Sequence, residues 1–350
     1  MKGKFFNKIL KRSIITFIFL CLVCIALNTS AAADNNTTHI VNSTFTGDNN
    51  TAAKEISSTD QKDNNVPDPR NNQTGESYST IQSAINNAQS GDTITVDPGT
   101  YQENLLINKN INLIGSGPDT TFIDGQRAGN VLTIQPGCVV IITGFTIQNG
   151  NATRGGGIFI NDSNCTLNNC NFLNNTAKND GGSIYNYQGS SCTVNNCNFT
   201  NNTAINWNGG GIYNIGICKI TNSTFQNNNA RAGGGGISNG GTFTITNSII
   251  QNSKTNNFGG AIFNIGSATL NNCNLTNNTA ILGGGGIYNE ANCTITKCNI
   301  TQNSAKDGAG IFEGPNNPIN NFITLIKSNV TNNKATVTNG GGIYNRGNIG

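Results

Sequence analysis

Two glutamates, Glu290 and Glu313, follow isoleucine–aromatic pairs on neighbouring repeats of the chain, in IYNE and IFE. They are its nearest approach to the paired carboxylates that acid–base cleavage of a glycosidic bond requires. The repeating region has no Asp-Asp pair, so both glutamates read as solvated edge residues. Arg154 and Asp180 each precede a glycine run and should be neighbours on successive turns of a repeat. An arginine base in an eliminase works beside carboxylates that hold Ca²⁺. Without such companions the two read as a surface ion pair worth less than about 1 kcal/mol. Asp124 and Arg127, in IDGQR, read as a turn. The single histidine, His39, lies outside the repeats and the single methionine is Met1, so a copper-type site has no ligands to draw on.

Cysteines are periodic. Cys138, Cys165, Cys192, Cys218 and Cys293 form one column and Cys170, Cys197, Cys273 and Cys298 a second, with Phe243 and Ala268 standing in the first where cysteine is missing. Replacement by Phe and Ala marks an interior, space-filling position, so buried free thiols are expected. A four-thiolate metal site from Cys165, Cys170, Cys192 and Cys197 is disfavoured because Leu167 and Val194 stand between the columns. No cofactor is expected. The glycine runs also lack the aspartates of Ca²⁺-binding GGxGxD repeats.

The remaining chemistry is a row of rings. The residue after the repeat isoleucine is Phe159, Tyr185, Tyr213, Phe263, Tyr288, Phe312 or Tyr344, with Ser238 the exception. If the isoleucine points inward, strand alternation turns these rings outward into a ladder. Such a ladder can stack on sugar rings or on itself.

These groups need elements to hold them, and the periodicity supplies them. A glycine-rich segment ends in Ile158, Ile184, Ile212, Ile237, Ile262, Ile287, Ile311 and Ile343, at intervals of 26, 28, 25, 25, 25, 24 and 32. A second column reads Leu167, Val194, Ile220, Ile245, Leu270, Ile295 and Ile326. A third reads Phe145, Phe172, Phe199, Phe225, Ile250, Leu275, Ile300 and Val330. Apolar residues arrive in twos and threes between Gly and Asn clusters, without helical spacing, which predicts an all-β, right-handed, single-stranded parallel β-helix. Three short strands per coil of about 25 residues, and about eleven coils, are expected. Gly and Asn suit its corners because both tolerate positive φ; Asn168-Asn169, Asn195-Asn196 and Asn271-Asn272 sit at one of them. The long last interval is absorbed by a loop, EGPNNPINNF. Ahead of the coils, Ser79 and Gln82 have capping-box spacing, and Ile81, Ala84, Ile85 and Ala88 share one face of a short helix that would cover the first coil.

The segment GDTITVDPGTYQENLLINKNINLIGSG resembles the N-terminal portion of the pectate-lyase-like superfamily. GGAI at Gly259 to Ile262, with F-x-x-N at Phe172 to Asn175, Phe199 to Asn202 and Phe225 to Asn228, resembles polymorphic outer-membrane-protein repeats and the adhesin-like surface proteins of methanogenic archaea. The resemblance covers about three quarters of the chain. It implies the β-helix, a place at the cell surface (outer membrane or cell wall), and extracellular polysaccharide, cell wall or another cell's surface as partner. Superfamily enzymes cleave or de-esterify polyuronides with polar clusters on adjacent coils. No such cluster assembles here, so the expectation is a noncatalytic adhesin-like rod, with a polysaccharide lyase, hydrolase or esterase as the alternative.

Organisation and charge agree with export. Residues 1–33 read as a signal peptide, with five positive charges, an apolar stretch from Ile14 to Leu27 and Ala31-Ala32-Ala33. Its removal takes the formal charge from +3 to −2, leaving no surplus for nucleic acid. Residues 34–77 read as a disordered Asn/Thr-rich tether. Residues 78–350 form the β-helix, with capping helix and initial coils over 78–130 and repeat coils over 131–350. The chain stops within a coil, so truncation is expected and membrane attachment would need an anchor beyond it. Sequons such as Asn151-Ala152-Thr153 are frequent.

Overall fold

The computed structural model describes residues 66–314, 322–337 and 339–346. The signal peptide, residues 34–65 of the tether and most of the inserted loop lie outside the described residues. The described chain is a right-handed parallel β-helix. Each full coil contributes one strand to each of four parallel ladders. A long-strand sheet contains Asn164–Asn168, Ser191–Asn195 and Ile217–Thr221. A phenylalanine sheet contains Asn171–Leu173, Asn198–Thr200 and Thr224–Gln226. A narrow ladder follows, with Thr176–Ala177, Thr203–Ala204 and Asn229–Ala230. An aromatic sheet closes the coil, with Ile158–Ile160, Ile184–Asn186 and Ile212–Asn214.

The narrow ladder is a fourth addition to the three strands expected. Its two-residue strands carry no alternation, but their inward alanines, Ala177, Ala204 and Ala230, are almost fully buried. Among the described residues the aromatic and phenylalanine sheets are 10-stranded, against the eleven or so coils expected.

Identical residues stack because the register is one to one. Cys165 lies beside Cys192, Leu167 beside Val194, and Phe172 beside Phe199. Phe172, Phe199 and Phe225 form a buried pile, with centroids 4.6 and 4.4 Å apart and rings within 2° of parallel. Two interior amide ladders run beside the apolar columns. In one, Asn202 accepts from the backbone N–H and side-chain amide of Asn175 at 3.0 and 3.2 Å, and donates to Phe172 O and Asn228 Oδ1, both at 3.0 Å. In the other, Asn186, Asn214, Asn239, Asn264 and Asn289 each donate to the next, ending at Glu313. A buried amide is costly unless its donors and acceptors are used, and stacking like coils uses them along both ladders, except at the first rung of the second, where Asn186 Oδ1 has no hydrogen-bond partner.

Corners carry asparagine in the left-handed region, including Asn169, Asn196 and Asn272 at φ of 50 to 53°. These residues fix the register and correct three column assignments. Gly144, at φ 78°, takes the place of Asn169, so Ile147, rather than Phe145, pairs with Phe172. Counting back from the same corner puts Val140 beside Cys165 and removes Cys138 from the cysteine column. At the last coil Lys327 is the corner residue, at φ 48°, and Leu325 rather than Ile326 pairs with Ile295.

The capping helix spans Ile81–Asn87, with Ile81, Ala84 and Ile85 buried. Its cap is Thr80 with Ser83, one residue later than the Ser79/Gln82 expectation, and Glu103 accepts from the N–H groups of Ile81 and Gln82 at 2.8 Å. Order also begins before residue 78. Arg70–Asn71 pairs antiparallel with Thr93–Val96, and buried Asn71 donates to Asp92 at 2.7 Å. The stretch 66–77 therefore belongs to the folded unit rather than to the tether, because an edge strand covers the otherwise open margin of the long-strand sheet.

Candidate functional site

The aromatic row lies on the outward face of the aromatic sheet, as alternation requires. Phe159 stacks on Tyr185 at 5.4 Å and Tyr185 on Tyr213 at 5.2 Å. Ser238 interrupts the row. It resumes with Phe263 on Tyr288 and Tyr288 on Phe312, both at 5.2 Å, and ends with Tyr344 edge-on to Phe312. Outward does not mean open. Tyr185, Tyr288 and Phe312 are only 3, 5 and 4% exposed, while Phe159, Tyr213, Phe263 and Tyr344 are half-buried.

The glycine runs provide much of the cover. A Cβ on Gly283 would lie 2.7 Å from the ring of Phe312, so the absence of a side chain there lets the turn cross the ring. Phe258, on the turn itself, packs against Tyr288 at 4.5 Å. Arg154 lies over the Tyr185 ring at 5.4 Å. The arrangement is a self-stacked ladder offering ring edges and four half-open rings, rather than a continuous platform of ring faces.

Burial raises the phenols. Desolvation pushes Tyr185 from the ordinary 10 to about 12, against the opposing pull of Arg154. Because the unfolded phenol ionises first, this contribution to stability is complete below pH 10 and is lost between 10 and about 12. Alkaline unfolding should therefore steepen in that window, and Tyr185→Phe should flatten it. Denaturation curves taken across it check this, and identical pH profiles for the two proteins would contradict it.

The polar candidates separate from one another. Glu313 replaces asparagine in the interior amide ladder, pairs in register with Asn289 and is 6% exposed. It is not the solvated edge residue expected, because the position after the ring points inward. Glu290 accepts instead from the Tyr288 hydroxyl. The two carboxyls therefore have different surroundings, Glu313 turned into the interior ladder against Asn289 and Glu290 held by a phenol. Arg154 and Asp180 do meet across successive coils, at 3.9 Å, and Asp180 also accepts from Asn208. Burial raises the Asp180 carboxyl. Asp124 forms the expected turn, accepting from Gln126 N at 2.9 Å and from Gln148 and Asn149.

All nine described cysteines are buried and free. Desolvation pushes Cys165 well up and Cys293 to about 12, which keeps them thiols and makes them poor nucleophiles. Among the described residues no group of three or more His, Cys, Asp or Glu converges on a metal position.

Known proteins resemble this architecture in part. Residues 169–187 match the model of the Chlamydia polymorphic membrane protein repeat. The match runs from the αL corner through Phe172 and Asn175 to the end of the aromatic-sheet strand Ile184–Asn186. Among solved structures, a pectin methylesterase mutant in complex with a hexasaccharide is 11% identical, covering 73% of this chain and 86% of that one, with a TM-score of 0.40. Pectin methylesterase from carrot is 14% identical over 73 and 80%, with a TM-score of 0.35. Likeness at that level says nothing about activity. No curated protein sequence matches the chain. The class defined by fold and repeat is a parallel β-helix carrying a polymorphic-membrane-protein-type repeat.

Proposed function

We propose that this chain is a noncatalytic, secreted cell-surface protein of the adhesin-like kind, a stiff β-helix that binds extracellular polysaccharide, cell wall or another cell. The observation that carries the reading is the in-register repetition of outward side chains over successive coils, seen in the rows Phe159–Tyr185–Tyr213 and Phe263–Tyr288–Phe312. Identical weak contacts repeated along a rigid axis add up by avidity, which suits an extended partner. The polymorphic-membrane-protein repeat at residues 169–187 supports a surface role. Burial of Glu313 weighs against the polysaccharide-active alternative.

The experiment is incubation of the chain from residue 34 onward with polysaccharides and cell-wall preparations, following protein depletion and product release together. Depletion without products is expected. Tyr213→Ala with Phe263→Ala, at two half-open rungs, should weaken it severalfold. Product release would replace this reading with an enzymatic one, and undiminished depletion by the double variant would remove the aromatic row from it.

A further inference from the structure

A second surface lies on the phenylalanine sheet, away from the aromatic row. Its outward side chains form two rows across five coils. One runs Phe122, Thr146, Asn171, Asn198, Thr224, and the other passes through Leu173, Thr200 and Gln226. At the first coils the turn carrying Pro118 and Asp119 rises beside them and makes a cleft of about 420 Å³. The wall is fixed in place, since the Thr146 hydroxyl donates to Pro118 O and Thr120 N–H donates to Gly117 O at 3.1 Å. Small-molecule and oligosaccharide-sized sites fall in this range of about 300–1,000 Å³.

We infer that this cleft binds a neutral oligosaccharide segment lying along the helix axis. The proposal rests on the adhesive reading and names the ligand class. Half-buried Phe122 and Leu173 offer apolar surface for the C–H faces of a sugar. Amides and hydroxyls line the rest, and Asn198 donates to Asn171 at 3.0 Å, which holds both amides in fixed orientation for sugar hydroxyls. Charge selects against acidic glycans. The lining contains no Lys, Arg or His and one carboxylate, Asp119. A polyuronide would bring uncompensated negative charge to that carboxylate. A basic peptide would find only one counter-charge. With strands about 4.8 Å apart, the five coils give a track of roughly 20 Å, long enough for a short oligosaccharide.

The intact chain would be titrated calorimetrically with cellopentaose, mannopentaose and laminaripentaose, and with an oligogalacturonide of the same length. At least one neutral sugar should bind and the oligogalacturonide should not. Leu173→Ser and Phe122→Ala should weaken binding by about tenfold or more, and Thr200→Lys, which places a long side chain over the track, should abolish it. Unchanged far-ultraviolet dichroism and melting would show the variants folded. No binding by any neutral sugar, equal binding of the oligogalacturonide, or folded variants that bind like the parent would overturn the proposal. Adhesion to cell-wall material that survives Thr200→Lys intact would also remove this cleft, while leaving the adhesive reading standing.

Discussion

Gly210→Ala is expected to unfold the coils around it, at a cost above about 4 kcal/mol, the range reserved for mutations with a specific structural cause. A Cβ on Gly210 would stand 2.3 Å from Gly235 O, 2.5 Å from Asn229 O and 2.6 Å from Asn229 N. All three are backbone atoms of the next coil. No side chain can swing aside, so relief requires the coils to separate and gives up the bonds from Gly210 N to Gly234 O and Gly211 N to Gly236 O. Gly137 is the control. Its φ is 79°, but a Cβ there meets nothing within 4 Å. Gly137→Ala should therefore cost only the backbone penalty of about 1–2 kcal/mol. Each coil contacts only its neighbours, so damage should be local. Hydrogen exchange in Gly210→Ala should rise across roughly residues 180–260 while the capping helix stays protected. Equal effects from the two variants would mean that close packing between coils is not what the glycine runs provide.

The fold was legible because its repeat is dense in residues with one structural use. Asn169, Asn196 and Asn272 announce corners by their tolerance of positive φ, and isoleucine and phenylalanine columns announce an interior. The errors share one physical origin. Side-chain similarity places Phe145, Cys138 and Ile326 in the columns, whereas register is set by the αL residue, which is Gly144 for the first two and Lys327 for the third. The narrow ladder is hidden in the sequence because two residues cannot show a period, although the recurring Ala177, Ala204 and Ala230 mark it.

For the site, alternation correctly sent the rings out of the core. It could not report what lies over them, since cover comes from the glycine turns and from Phe258 and Arg154, contributed by different parts of the coil. The outer rows of the phenylalanine sheet carry no sequence signal, for the opposite reason. Asn, Thr and Gln are common everywhere in this chain, and only the raised turn at Pro118 and Asp119 makes a cleft of them.

Asn202→Leu should cost about 4 kcal/mol, although leucine has nearly the same volume and lies in an interior with apolar neighbours. Substitution removes the acceptor for Asn175 N–H and for one hydrogen of the Asn175 amide, and the donor to Phe172 O. Asn175 is fully buried, so water cannot replace these bonds. Three orphaned groups at about 1–3 kcal/mol each outweigh any gain from added apolar burial. The chain contains its own milder version, since Ser253 occupies the same column, and in a neighbouring column a serine hydroxyl takes the acceptor's part, Ser223 Oγ accepting from Cys197 N–H at 3.1 Å. Asn202→Ser should accordingly lose less than Asn202→Leu. Asn299 donates to Asn274 at 3.0 Å in a similar ladder, but on the exposed face. Asn299→Leu should change stability by less than about 0.5 kcal/mol, because water satisfies whatever the ladder releases. Urea unfolding of the three variants, followed coil by coil through hydrogen exchange because long arrays need not unfold in one step, orders them. If Asn202→Leu proved as stable as the parent, the buried amides would be fillers. The predicted order would make them the element that forbids any register but one, since sliding a coil by a single residue would set Asn175 opposite Asn201 or Thr203 and take away its buried acceptor.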